Sequence, residues 1–202
     1  MKRLVLFDLD GVLLHSHENM RRAWESVLRE TDINRPFEDY FALIGRPFKD
    51  IMKLLGVSGD LSRIERIYMT ASFEFLANAT FFDGVRETLD ELAAMGVKMG
   101  IVTSKDEPRT KAVLSQIGVQ FTSVQCPCDR FRGKPAPDHL LLAMAEAGED
   151  PKDSLFVGDM ETDWIAACRA GIDHVHAAWG YGDPLPSVPT LDSIRQLPKF
   201  IQ

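Results

Sequence analysis

Apolar positions along the chain follow one rhythm, break into a second, and then alternate between the two. Residues 4–7, Leu-Val-Leu-Phe, form an unbroken apolar run that stops at Asp8 and Asp10. This is the pattern of a strand buried on both faces of a parallel sheet and ending in a polar loop. From residue 16 to residue 80 the period becomes three to four. Met20, Trp24, Val27 and Leu28 share one helical face, and Pro36 opens a second helix carrying Phe37, Tyr40, Phe41 and Ile44 up to Gly45. Pro47 opens a third with Phe48, Ile51, Met52 and Leu55; Ser58-Gly59-Asp60 starts a long fourth with Leu61, Ile64, Tyr68, Ala71, Phe75 and Leu76. The stretch reads as an all-helical unit with no strand, inserted after the first strand.

Beyond Asp83-Gly84, helix and strand patterns alternate. A helix with Val85, Leu89 and Leu92 precedes a strand over residues 97–102 that ends at Thr103-Ser104-Lys105. Pro108 and Gly118 bound the next helix, residues 121–125 form a strand, and the following loop holds Gly133-Lys134-Pro135. A helix over 138–147 leads to a strand over 154–157 that runs into Gly158-Asp159-Met160-Glu161-Thr162-Asp163. After a helix with Trp164, Ile165 and Cys168, a last strand over 174–178 reaches Trp179-Gly180-Tyr181-Gly182. The alternation predicts an α/β fold, a Rossmann-like parallel sheet with helices on both faces built from residues 1–15 and 81–202, with residues 16–80 as an inserted helical domain.

Composition narrows the function classes. The 202 residues carry 23 Lys and Arg against 30 Asp and Glu, a net charge of -7. That balance argues against a nucleic-acid partner, which calls for a basic face. No apolar run approaches the roughly 18 residues of a membrane span, and Asp8 and Asp10 interrupt any apolar leader, so a cytoplasmic protein without a membrane partner is expected. Cys126, Cys128 and Cys168 do not form the even-numbered framework of a small secreted domain. Cys126-Pro127-Cys128 lacks a second ligand pair at zinc-finger spacing and reads as two loop thiols.

Four strand ends carry polar groups: Asp8 and Asp10, Thr103 and Ser104, Lys134 in the loop after the third, and Asp159 and Asp163. Each alone is an ordinary polar exit from a sheet. Together they lie where ligands bind in open parallel sheets, and they supply what a metal-bound phosphoryl group requires. Mg2+ prefers oxygen ligands and binds through one or two carboxylates plus phosphate and water, which Asp8 and Asp159 can provide. Asp8 is then the candidate nucleophile, Lys134 and Thr103 the candidate holders of the phosphoryl oxygens, and Asp10 the proton carrier.

These residues resemble the haloacid dehalogenase superfamily, whose phosphatases carry Asp-x-Asp-Gly-Thr/Val, a strand-end Thr/Ser, a Lys and Gly-Asp-x-x-x-Asp in that order. The counterparts here are Asp8-Leu9-Asp10-Gly11-Val12, Thr103, Lys134 and Gly158 through Asp163. The resemblance implies that Asp8, the Asp10 backbone carbonyl and Asp159 bind Mg2+, with Asp163 in support, and that residues 16–80 are the cap domain. It also implies an aspartyl-phosphate intermediate, with Gly11 and Ser104 on the substrate side. Asp10 argues against a true dehalogenase, because a halide leaving group needs no proton. The expected substrate is a small phosphorylated metabolite, with phosphoglycolate-phosphatase-type members the most similar. Sugar phosphomutases, pyrophosphatases and nucleotidases share most of the motifs, and a non-catalytic metabolite sensor is the remaining alternative. Arg46, in the Gly45-Arg46-Pro47 loop between two helices, and His17, just past the catalytic loop, are candidate substrate contacts; a solvated arginine and a hinge or helix-start residue are the plainer readings. A monomer or homodimer is expected.

Overall fold

The computed structural model describes residues 1–202, the side chain of Asn78 excepted. The chain divides into two compact units, Met1–His15 with Phe81–Gln202, and Ser16–Thr80.

The first unit holds a parallel sheet of the strands β1 (Leu4–Phe7), β4 (Lys98–Val102), β5 (Ser123–Gln125), β6 (Ser154–Gly158), β7 (Asp173–Ala177) and β8 (Thr190–Leu191), in the order β5-β4-β1-β6-β7-β8. β1 lies at the centre, with Phe7 opposite Ile101 on one side and Val157 on the other. All four β1 side chains are fully buried, which requires cover on both faces of the sheet because alternate residues point opposite ways. On one face Leu4, Leu6, Val102 and Phe156 pack with Leu140, Ala143 and Met144 of α7 (Asp138–Ala147) and with Ala166, Ala167 and Ala170 of α8 (Glu161–Ala170). The small residues let α8 approach the strands closely. Elsewhere α5 (Val85–Ala94) packs on β4 and on the C-terminal helix α9 (Leu197–Phe200). Between β4 and β5 runs α6 (Glu107–Ile117), started by the Asp106 side chain, which accepts from the Arg109 N–H at 3.0 Å, and ended by Gly118 in the left-handed region.

The second unit consists of α1 (His17–Glu30), α2 (Phe37–Phe41), α3 (Phe48–Leu54) and α4 (Leu61–Glu74). Its core centres on Trp24, whose ring stacks on Tyr40 at 4.5 Å and whose Nε1 donates to the Arg35 carbonyl at 2.8 Å. The Asn19 amide donates to the Ser72 carbonyl and accepts from the Ser72 hydroxyl, tying α1 to α4.

Three expectations need correction. Thr80 lies in a strand, β3 (Thr80–Phe81), which forms a two-stranded sheet with β2 (Leu14–His15), so the 16–80 stretch is not strand-free to its end. The strand near residue 174 is not the last, since β8 follows it. Strands of two residues leave no periodicity to read. The strand expected over 121–125 spans only Ser123–Gln125. The cysteines are free, and burial pushes the Cys126 thiol up, away from thiolate.

One buried group makes the sheet acid-sensitive. His174 on β7 packs against Phe156 at 6.0 Å, and burial pushes its pKa down to about 4. The unfolded chain takes up this proton below about pH 6.5 and the folded one refuses it until near pH 4. This contribution is therefore complete at neutral pH and is lost as pH falls through that window. His174→Phe is expected to remove about 2 kcal/mol of the stability difference between pH 7 and pH 5. Urea midpoints of both proteins at the two pH values measure it, and an identical pH dependence would refute the assignment.

Candidate active site

The site forms where β1, β4 and β6 end, at the switch point of the sheet, where loops from neighbouring strands diverge. Asp8 follows β1 directly; its N–H donates to the Val157 carbonyl at 2.9 Å, and its Oδ1 accepts from the Leu9 N–H at 2.7 Å. Lys134, delivered by the loop after β5, places Nζ 2.8 Å from Asp8 Oδ2 and 2.7 Å from Asp163 Oδ1. Asp163 uses its other oxygen to accept from the Asp159 and Met160 N–H groups at 3.1 and 3.0 Å. Asp163 thus braces the turn that carries Asp159.

Asp159 is fully buried and crowded. Its Oδ2 accepts from the Tyr181 N–H at 2.7 Å, while its Oδ1 has no hydrogen-bond partner among the described residues. Two glycines make room for it. A Cβ on Gly11, at φ +85°, would stand 2.1 Å from Asp159 Oδ2, and one on Gly180 would stand 2.3 Å from Asp159 Cβ. Neither position can take a side chain without displacing the carboxylate.

Oxygens of Asp8, Asp159 and Asp163 lie within 4.8 Å of one another, an arrangement that could hold a metal ion. The electrostatics point the same way. Burial raises the Asp8 carboxyl to about 7, with Asp163 and Asp10 adding to the rise and Lys134 opposing it. Burial likewise raises Asp159, helped by Asp163 and Asp8. Burial works against the Lys134 ammonium too, but Asp163 and Asp8 outweigh it and hold that pKa above the ordinary lysine value. Three carboxylates share one ammonium, a formal deficit of two positive charges that a divalent cation matches.

The first unit thus brings Asp8, Asp10, Gly11, Thr103, Ser104, Lys134, Asp159 and Asp163 to one end of its sheet. Thr103 is buried and its Oγ1 accepts from the Lys105 N–H at 3.1 Å. The other two candidates belong to the helical unit. His17 packs edge-on against Phe41 at 4.6 Å and Phe37 at 5.2 Å. Arg46 Nη1 donates to the Leu43 carbonyl at 3.4 Å. Beside Lys134, a second buried cation stands at the strand ends: Lys105, with Nζ 3.1 Å from Asp10 Oδ1. A loop lysine carries no sequence signal of burial, because most are solvated. The turn at 179–182 was legible only as glycine-rich. In the structure Trp179 Nε1 donates to the Val12 carbonyl at 2.9 Å, so the turn fastens the β1 loop as well as Asp159.

Comparison with known proteins agrees with this geometry. The family model for haloacid dehalogenase-like hydrolases matches residues 5–177. A phosphoglycolate phosphatase of Pseudomonas putida is 32% identical over 217 residues, covering 98% of this chain and 79% of that protein. The pyrophosphatase PpaX of Oceanobacillus iheyensis is 27% identical over 187 residues, covering 90% and 86%. Among solved structures, a haloacid dehalogenase-like family hydrolase from Streptococcus pneumoniae superposes with a TM-score of 0.86 at 20% identity, covering 100% of this chain and 99% of that one. With its sheet order, its strand-end residues and these matches in accord, the chain belongs to the haloacid dehalogenase-like hydrolases, among the phosphatases of that family.

Proposed function

We propose that the protein is a Mg2+-dependent phosphomonoesterase of a small, phosphoglycolate-like metabolite, working through an aspartyl-phosphate at Asp8. The observation that carries this reading is the buried, unpartnered Asp159 Oδ1 beside Asp8, in an all-oxygen set short of two positive charges. Mg2+ suits such donors, with Asp8, Asp159 and the Asp10 carbonyl as ligands and Asp163 as their brace. Bound there, the ion supplies the charge that lets a carboxylate meet a phosphate dianion.

The remaining work falls to the protein. An Asp8 carboxylate oxygen forms a bond to phosphorus as the ester P–O bond breaks, and the electron pair leaves on the alkoxide oxygen. Asp10 gives that oxygen a proton and then takes one from the water that cleaves the aspartyl-phosphate, which returns Asp8 as a carboxylate and frees phosphate. Lys134 and the Thr103 hydroxyl hold the phosphoryl oxygens, and the buried setting makes both contacts stronger than they would be in water. The helical unit acts as the cap that selects the leaving group, with Arg46 for a substrate carboxylate.

The relatives' names support phosphoglycolate as the first substrate to try and pyrophosphate as the second. Purified protein is expected to release phosphate from p-nitrophenyl phosphate with Mg2+ and not in EDTA, and to prefer a small phosphorylated acid on a metabolite panel. Release that persists in EDTA would overturn the metal assignment. Conversion of a sugar phosphate to its isomer without free phosphate would favour a mutase.

A further inference from the structure

Lys105 has no part in the chemistry above, yet it is one of the most completely buried charges in the molecule, its side chain only 2% exposed. Placing an ammonium there costs several kcal/mol unless a partner repays it. The partner is Asp10, whose Oδ1 lies 3.1 Å from Nζ. The rest of Lys105 is fixed on both sides: its N–H donates to Thr103 Oγ1 at 3.1 Å, and its carbonyl accepts from the Thr110 hydroxyl at 3.2 Å. The other buried cation nearby, Arg109, is engaged by Asp106 at 3.0 Å. Two ion-paired sets thus stand at the strand ends, Lys134 with Asp8 and Asp163, and Lys105 with Asp10.

The grouping matters because the two aspartates have different tasks. Asp10 is the more exposed, 19% against 6% for the Asp8 side chain, and the ion pair with Lys105 limits the rotamers its carboxylate can occupy. A general acid is effective only while held within hydrogen-bond reach of the departing oxygen. We propose that Lys105 is the positioning residue for the proton carrier: its ion pair holds the Asp10 carboxylate toward the oxygen leaving phosphorus, and so sets how poor a leaving group the enzyme can cleave. This rests on the reading of Asp10 as proton carrier.

The test compares kcat/KM for two esters without a carboxylate, p-nitrophenyl phosphate and ethyl phosphate. This ratio reports the steps up to phosphoryl transfer and is blind to later hydrolysis. The nitrophenolate departs without a proton; the ethoxide needs one. Lys105→Met, close to lysine in shape, is expected to lose about 30-fold on ethyl phosphate and far less on the aryl ester. Lys105→Gln, which keeps an N–H for Asp10 without a charge to bury, should show the same selectivity more weakly and serves if the methionine variant does not fold. Asp10→Asn should show the same pattern more strongly. Equal losses on the two esters in both Lys105 variants, or no loss, would reduce Lys105 to scaffold. If Asp10→Asn itself fails to discriminate, the proton-carrier reading is what falls, and the Lys105 proposal with it. Discrimination by Asp10→Asn but not by the Lys105 variants overturns the Lys105 proposal alone.

Discussion

Asp8→Asn is expected to abolish phosphate release, by about 10^3-fold or more, and at the same time to make the metal-free protein harder to unfold. The first effect follows from the nucleophile: an amide is too poor a donor to form the bond to phosphorus. The second follows from burial, which raises the Asp8 carboxyl to about 7. A raised carboxyl binds its proton more tightly in the folded state, so its contribution is favourable at low pH and turns against folding as pH rises from about 4 through 7. At pH 8 in EDTA the ionised group costs on the order of 4 kcal/mol, and Asn removes that cost. Melting temperatures in EDTA should therefore rise by several degrees at pH 8 and by less than half as much at pH 5. Undiminished phosphate release would exclude Asp8 as nucleophile. A lower melting temperature at pH 8 would show that the carboxylate is not strained by its surroundings.

The second large effect is structural. Lys134→Met leaves Asp8 and Asp163 buried without the cation that lies 2.8 and 2.7 Å from them. Removing one partner of a buried ion pair costs about 3–5 kcal/mol, chiefly through the charge left behind. In EDTA at pH 8 the variant should unfold at much lower denaturant, with activity lost alongside. The combined variant Asp8→Asn, Lys134→Met separates charge from packing. Neutralising Asp8 leaves Lys134 fewer charges to compensate, so losing the lysine should cost less in the Asp8→Asn background and the double variant should be more stable than the sum of the two single changes. A double variant equal to the sum of the two single changes would mean that the groups do not interact energetically.

Which parts of this site could be read from the chain depended on how local their signals are. Asp8, Thr103, Lys134 and Asp159 each sit at the end of an apolar run or inside a Gly/Pro-marked loop, and parallel-sheet topology carries such ends to one edge. Lys105 stands at the same strand end as Thr103, but nothing local says that it is buried, because its partner is Asp10, some 95 positions earlier in the chain. Trp179 and Tyr181 were visible as a turn, but their bonds to Val12, Leu14 and Asp159 are tertiary and leave no spacing behind. The helical unit was legible in its periodicity. The two-residue strands Leu14–His15, Thr80–Phe81 and Thr190–Leu191 were not, since they are set by pairing alone.

The central place of β1 has a consequence during synthesis. Leu4–Phe7, fully buried, pairs with Lys98–Val102 and Ser154–Gly158, so its second neighbour is translated about 150 residues after it. At 5–20 residues per second, that apolar segment waits roughly 7–30 seconds on the ribosome with at least one edge unpaired. For that interval it is the piece of the nascent chain with most to gain from a chaperone.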